Sequence, residues 1–165
     1  MDTDLDAAAR QALACLDLTS LNDGDDEAAV ARLCARAQGR FGPVAAVCVW
    51  PRLAAFARRQ LPGAIAVAAV ANFPDGGTDL ARTERDIGQI AEAGAQEADV
   101  VLSWRALVEG DTRTPARLLA AARRASAGLR LKVILETGML DATQAHEASR
   151  IALGDREFHA GITPA

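Results

Sequence analysis

Apolar residues in this chain gather into short, nearly unbroken runs separated by longer amphipathic stretches. Residues 44–50, 65–73, 96–105 and 129–136 are such runs, and 16–19 is a shorter one that alternates. Runs of this length, rich in Val, Ala, Ile and Leu and bounded by Gly, Pro or Asn, predict strands covered on both faces. Between them the apolar positions recur with helical spacing. Residues 6–16 carry Leu13 and Leu16. The next helix is opened by Asp25, Asp26 and Glu27, carries Val30, Leu33, Cys34 and Ala37 on one stripe, and stops at Gly39. Acids suit its N-terminus because the helix dipole is positive there. Pro51 opens a helix through Leu61, at the position where proline is best tolerated. Thr78 is expected to cap a helix to Ala93, with Leu80, Ile87, Ile90 and Ala91 inward and Gly94 as its stop. A short arm leads to Gly110, Thr114-Pro115 starts a helix ended by Gly128, and Asp141 caps a last helix to about Leu153.

Strand and helix thus alternate with short connections, at a repeat of roughly 30 residues, the size of a βα unit. That pattern predicts a parallel sheet under helical cover in one α/β domain over residues 1–165. The phosphate-binding glycine patterns of doubly wound sheets, GxGxxG and GxxxxGK[ST], are absent. Polar side chains instead stand at or near the C-terminal ends of successive strands: Asp17 and Thr19, Cys48, Asn72, Asp99 and Ser103, Lys132 and Glu136. Gathering groups from several strand ends is the habit of (β/α)8 (TIM) barrels, which typically need at least ~200 residues. With five strands, this chain reads as a partial barrel of about five βα units, strands six to eight absent.

Composition narrows the partners. Half of the 165 residues are hydrophobic and the net charge is -4, with no basic face to favour nucleic acid. Residues 1–10 are acidic and lack the apolar core of a secretion signal, and no apolar run approaches the ~20 residues of a membrane span, so a cytoplasmic protein without membrane contact is expected. Cys15, Cys34 and Cys48, odd in number, suggest reduced thiols.

The chemistry concentrates on two strands. A strand's period of two puts Glu97, Asp99, Val101 and Ser103 on one face. A buried carboxylate is costly unless paired or used, so Asp99 is either a chemical group or an acid tied to backbone or an arginine. On 131–136, Lys132, Ile134 and Glu136 share a face, and Lys132 is the chain's only lysine. It is either a site lysine near Asp99 or half of a structural ion pair. Carboxylates beside it favour the charged form, so it is expected to pair rather than act as a nucleophile. Cys48 has no basic neighbour in sequence and reads as a small buried hydrophobe. Arg105 and Arg113 are either attractors of a phosphate or, as isolated arginines usually are, surface charges. His146, on an exterior helix, and His159 lack partners at metal-ligand spacing, so no metal site is expected. No GxSxG or HExxH occurs.

Taken together, five co-linear stretches resemble deoxyribose-phosphate aldolase, a class I aldolase family. They are Leu-Asp-Leu-Thr-Ser-Leu-Asn at 16–22, Val-Cys-Val-Trp-Pro-Arg at 47–52, Val-Ala-Asn-Phe-Pro at 70–74, Glu-Ala-Asp-Val-Val at 97–101 with Arg-Ala-Leu at 105–107, and Leu-Lys-Val-Ile-Leu-Glu-Thr-Gly at 131–138. The resemblance covers about Leu13 to Leu153. It implies a (β/α)8 barrel that cleaves 2-deoxyribose 5-phosphate to glyceraldehyde 3-phosphate and acetaldehyde through a Schiff base, without cofactor or metal, in deoxyribonucleotide catabolism. Asp99 matches the family's proton-relaying aspartate. Leu21, Cys48 and Phe73 match positions near the substrate, and Lys132 and Glu136 match polar residues lining the site; Asp17, Thr19 and Asn72, at the strand ends, are expected to line it too.

The family's Schiff-base lysine lies on its sixth strand in a Phe-(Ile/Val)-Lys-Thr-Ser-Thr-Gly stretch, and a second lysine follows on the seventh. Residues 155–165 contain neither and depart from the pattern. The expectation is an aldehyde-lyase homologue, truncated and inactive alone, toward a small phosphorylated sugar or aldehyde. The alternatives are a non-catalytic half-barrel that binds a partner or self-associates, and one chain of a split aldolase. Unpaired edge strands predict homo-oligomers or aggregation.

Overall fold

Five β-rich runs become five parallel strands: β1 (Asp17–Thr19), β2 (Ala46–Val49), β3 (Ala66–Ala71), β4 (Glu97–Val101) and β5 (Arg130–Ile134). The computed structural model describes residues 2–154; the tail 155–165, with His159, lies outside the described residues. Strand order in the sheet follows the sequence, with each strand beside the next. No reversal of order occurs, so the sheet lacks the switch point of a doubly wound fold and curls as a barrel wall does. Register sets Asp17 opposite Ala46, Cys48 opposite Ala68, Val70 opposite Asp99, and Asp99 opposite Lys132.

The helices are α1 (Asp2–Ala14), α2 (Glu27–Arg36), α3 (Pro51–Gln60), α4 (Leu80–Glu92), α5 (Trp104–Val108), α6 (Arg113–Ala125) and α7 (Ala142–Leu153). Odd-numbered valines and alanines of β2 and β3, with Ala98 and Val100 of β4, face the helices. There they pack with Val30, Leu33, Leu53, Ile87, Ile90, Leu118 and Leu119. Ile87 and Ile90 of α4 are fully buried, and each contributes about 1.5–3 kcal/mol by leaving water. The opposite face of β2 and β3 is built from small residues, Ala46, Cys48, Ala68 and Val70, covered by Leu21, Trp50 and Phe73. Cys48 of this layer lies on the same concave face as Asp99, to which its thiol donates.

Several boundaries move from the sequence reading. Asp79, not Thr78, caps α4, its carboxylate accepting from the Arg82 N–H. A carboxylate one residue later reaches the free amide of the first turn as well as a threonine would. Asp141 caps α7 in a full capping box with Gln144, as its position before the apolar stripe indicated. β4 stops at Val101, so Ser103 leaves the expected face and donates from Oγ to the Gly77 carbonyl at 2.8 Å. The arm after it is the short helix α5. A two-strand hairpin, Gln38–Gly39 with Gly42–Pro43, was not foreseen, because it has no apolar pattern of its own.

Loop 72–77 is pulled in against α5. A Cβ on Gly76, at φ +60°, would stand 2.8 Å from Trp104 Cδ1 and closer still to the Leu102 carbonyl, so only glycine fits.

Candidate active site

Asp99 sits mid-strand on β4, its side chain on the concave face because the pleat alternates with Ala98 and Val100 on the helix-covered face. Glu97 lies one pleat earlier on the same side, and both acids are buried. β5 sets Lys132 directly beside Asp99. The lysine ammonium lies 3.1 Å from Asp99 Oδ1, 3.1 Å from Asp99 Oδ2 and 3.1 Å from Glu97 Oε2. It also pairs with Asp17 of β1, at the other edge of the sheet. Arg130 closes the cluster from its exposed end, donating to Glu97 Oε1 at 2.5 Å.

Three carboxylates therefore share one half-buried amine and one exposed guanidinium, and the charge states follow from that ratio. Burial works against the Lys132 charge, but attraction to Asp99, the hydrogen bond and charge of Asp17 and the hydrogen bond of Glu97 outweigh it. The lysine pKa is pushed up, well above its usual range. Burial is the main force on Asp99 and raises its pKa; Lys132 offsets part of this and Asp17 adds to it. The Cys48 thiol donates to Asp99 Oδ2 at 3.6 Å. Burial first, and the Asp99 charge second, raise the thiol pKa far above its usual value, so Cys48 is no thiolate.

The remaining sequence candidates divide by position. Leu21 and Phe73 pack over Cys48 and Val70, and Phe73 meets Trp50 edge to face at 5.4 Å between ring centroids. Thr19 is exposed and its Oγ1 turns back to the Asp17 carbonyl at 3.2 Å. Asn72 stands apart from the charged cluster: at φ 54° it pins its own loop, donating from Nδ2 to Gly77 O at 2.9 Å and Val101 O at 3.0 Å. Glu136 is not the partner expected for Lys132. β5 ends at Ile134 and Glu136 takes φ 56°, which breaks the pleat that would have aligned the two. Glu97 and Asp17 take its place. Arg130 was missed in the sequence, although it precedes Lys132 by one pleat and the same period of two exposes it. Arg105 and Arg113 are exposed, and Arg105 stacks on Trp104 at 4.1 Å. His146 is exposed on α7. Among the described residues no set of His, Cys, Asp and Glu is placed to hold a metal ion, and no helix is long and apolar enough to cross a membrane.

A cavity of about 570 Å³ opens beside this cluster, lined among others by Cys15, Asp17, Asp99, Arg130 and Lys132. Two buried acids and a charged lysine thus stand together beside that cavity.

A family model for the DeoC/LacD family aldolases matches residues 11–159. The chain belongs to that family. It is similar to a Coccidioides immitis protein assigned as a deoxyribose-phosphate aldolase, at 27% identity and a TM-score of 0.74, over 88% of this chain and 64% of that one. An assigned deoxyribose-phosphate aldolase of Toxoplasma gondii ME49 shares the fold at a TM-score of 0.82 and 24% identity, over 91% of this chain and 58% of that one. So does the deoxyribose phosphate aldolase of Aeropyrum pernix, described by its unique tetrameric structure, at a TM-score of 0.67 and 24% identity, over 88% and 62% of the two chains. This chain thus spans about three-fifths of the length of the solved structures it matches. The α/β architecture, a five-stranded part of the aldolase barrel, is shared with them.

Proposed function

We propose that the concave face is the proton-transfer half of an aldolase site for 2-deoxyribose 5-phosphate, and that Lys132 is not its Schiff-base nucleophile. One observation carries this: the Lys132 ammonium is enclosed by Asp17, Glu97 and Asp99. An amine must shed its proton to attack a carbonyl, and three carboxylates hold that proton on.

In the cleavage, an iminium on a lysine accepts the electron pair of the breaking C2–C3 bond. The C3 hydroxyl loses its proton as glyceraldehyde 3-phosphate leaves, and C2 gains one before acetaldehyde is released. Asp99, with a raised pKa and a mid-strand position, suits such proton transfers. Lys132 keeps Asp99 oriented, and Leu21, Cys48 and Phe73 form the apolar floor and wall for the two-carbon end. Lys132 is the only lysine of the 165 residues, so this chain alone is inactive. No cofactor enters the scheme. Free thiols at Cys15, Cys34 and Cys48 suit a cytoplasmic setting.

A second reading, a half-barrel that self-associates or is completed by another chain, is favoured by the cavity between β1 and β5. A coupled assay of deoxyribose 5-phosphate cleavage tests the first: no turnover is expected from the purified chain. Turnover that vanishes in Asp99→Asn would contradict it. Turnover gained only on adding a polypeptide that carries the Lys-Thr-Ser-Thr stretch would favour completion by a second chain.

A further inference from the structure

At the C-terminal end of the strands, the loop after β1 is held by side chains that belong to the next βα unit. Arg52, in the first turn of α3, donates from Nη1 to the Asp25 carbonyl at 3.0 Å and from Nη2 to the Asp23 carbonyl at 3.0 Å. Trp50, the residue before α3, donates from Nε1 to the Asn22 carbonyl at 3.1 Å. Three main-chain carbonyls of one loop are thus satisfied by two side chains some 27–29 positions away.

The loop is also tied within itself. Asp25 accepts from Ser20 Oγ at 2.7 Å, from the Asn22 N–H at 3.1 Å and from Asn22 Nδ2 at 3.2 Å. The Ser20 bond first, joined by the Asn22 bonds and the Arg52 charge, holds the Asp25 carboxyl below its usual pKa against the opposing effect of desolvation. The loop is thus tied both within itself and to the start of α3.

What that loop carries is Leu21. Leu21, Trp50 and Phe73 cover the small-residue layer of Ala46, Cys48, Ala68 and Val70. Phe73 is anchored in turn, its carbonyl accepting from Arg82 Nη2 at 3.1 Å. We propose that Arg52 and Trp50 are positioning residues: they hold loop 20–26 so that Leu21 closes the apolar wall with Phe73, and this wall limits the site to short aldehydes. The proposal rests on the concave face being a carbonyl site, and it adds the residues that set the size of its apolar end. Neither side chain reaches the charged cluster. Arg52 spends both its terminal nitrogens on loop carbonyls, and it lines a small cavity with Trp50 and Phe73.

The test uses the full chain with Arg52→Ala, Arg52→Lys and Trp50→Phe, the last keeping the ring against Phe73 and losing the N–H. Hydrogen exchange is followed segment by segment. Exchange in 20–26 is expected to rise about tenfold in Arg52→Ala and less in Arg52→Lys, with β3 and β4 unchanged. No change in 20–26 overturns the tether. A rise throughout the sheet overturns it too, since that marks a purely structural arginine.

The specificity arm titrates acetaldehyde, butanal and hexanal against Trp50 fluorescence in a Trp104→Phe background. Hexanal is expected to bind at least about tenfold more weakly than acetaldehyde, and Arg52→Ala to narrow that gap. Equal discrimination with and without Arg52 overturns the proposed wall. No response to any aldehyde in the parent chain, with the local exchange result intact, supports the tether and counts instead against the carbonyl-site reading.

Discussion

Lys132 on β5 and Asp17 on β1 meet as an ion pair, 115 positions apart in sequence and on opposite edges of the sheet. Strands lie about 4.8 Å apart, so a flat five-stranded sheet would hold these edges far beyond a lysine's reach. The pair forms because the sheet curls until its first and fifth strands face each other. It is a direct sign of barrel curvature, and it ties that curvature to the site.

Removing the amine should therefore cost stability. Lys132→Met leaves Asp17, Glu97 and Asp99 sharing a pocket with only Arg130. Breaking a buried pair on one side costs about 3–5 kcal/mol, and the low end is expected here because Asp17 keeps contact with water. Asp17→Asn, which leaves Lys132 two carboxylates, should cost about 1 kcal/mol. Urea unfolding of the two variants measures both; equal, negligible losses would show that the pair does not hold the curve.

The same pair sets a pH dependence at the alkaline end. The Lys132 pKa is raised in the folded state above the ordinary 10.5. Its stabilisation is then complete below that value and is lost as pH rises through the folded pKa. The stability gap between the parent chain and Lys132→Met should be constant from about pH 7 to 9 and shrink above about pH 10.5. A gap that widened with alkalinity would reverse the assignment of charge.

Much of this was legible beforehand. Period-two alternation placed Glu97 and Asp99 together and Lys132 on a matching face, because buried strands keep strict alternation. The strand order followed from short connections. Asp99 meets Lys132 as the adjoining strands suggested; what the sequence hid was the lysine's other partners, Glu97 and Asp17 in place of Glu136. Glu136 falls two residues after Ile134, past the end of β5, where a left-handed residue resets the direction. Asp17 reaches Lys132 only through curvature, a property of the whole sheet that no local pattern carries. The arginines were equally opaque: Arg52 and Arg130 look like surface charges until their partners are placed.

Cysteine chemistry offers a check on burial. Cys15 is exposed, whereas Cys34 and Cys48 are buried and burial raises both of their pKa values. Iodoacetamide should alkylate Cys15 in the native protein and reach Cys34 and Cys48 only in denaturant, as peptide mass spectrometry would show. Native labelling of Cys48 would mean the inner layer is open or Asp99 is neutral.

The sheet edges bear on assembly. Arg130 N–H bonds Gln96 O and Ile134 O accepts from Leu102 N–H, so the intervening Leu131 and Val133 turn their backbone groups away from β4. Among the described residues no strand pairs with that side of β5. Free edges recruit further strands, and light scattering of the purified chain is expected to report oligomers. A monodisperse monomer would contradict this.

The central claim, that Lys132 is a charged pairing residue and not the Schiff-base nucleophile, is tested most directly by reductive trapping. The chain is incubated with acetaldehyde or deoxyribose 5-phosphate, reduced with borohydride, and mapped by peptide mass spectrometry. No saturable adduct at Lys132 is expected. Stoichiometric, saturable labelling at Lys132 that disappears in Lys132→Arg would contradict the account and make this lysine the nucleophile of an active aldolase.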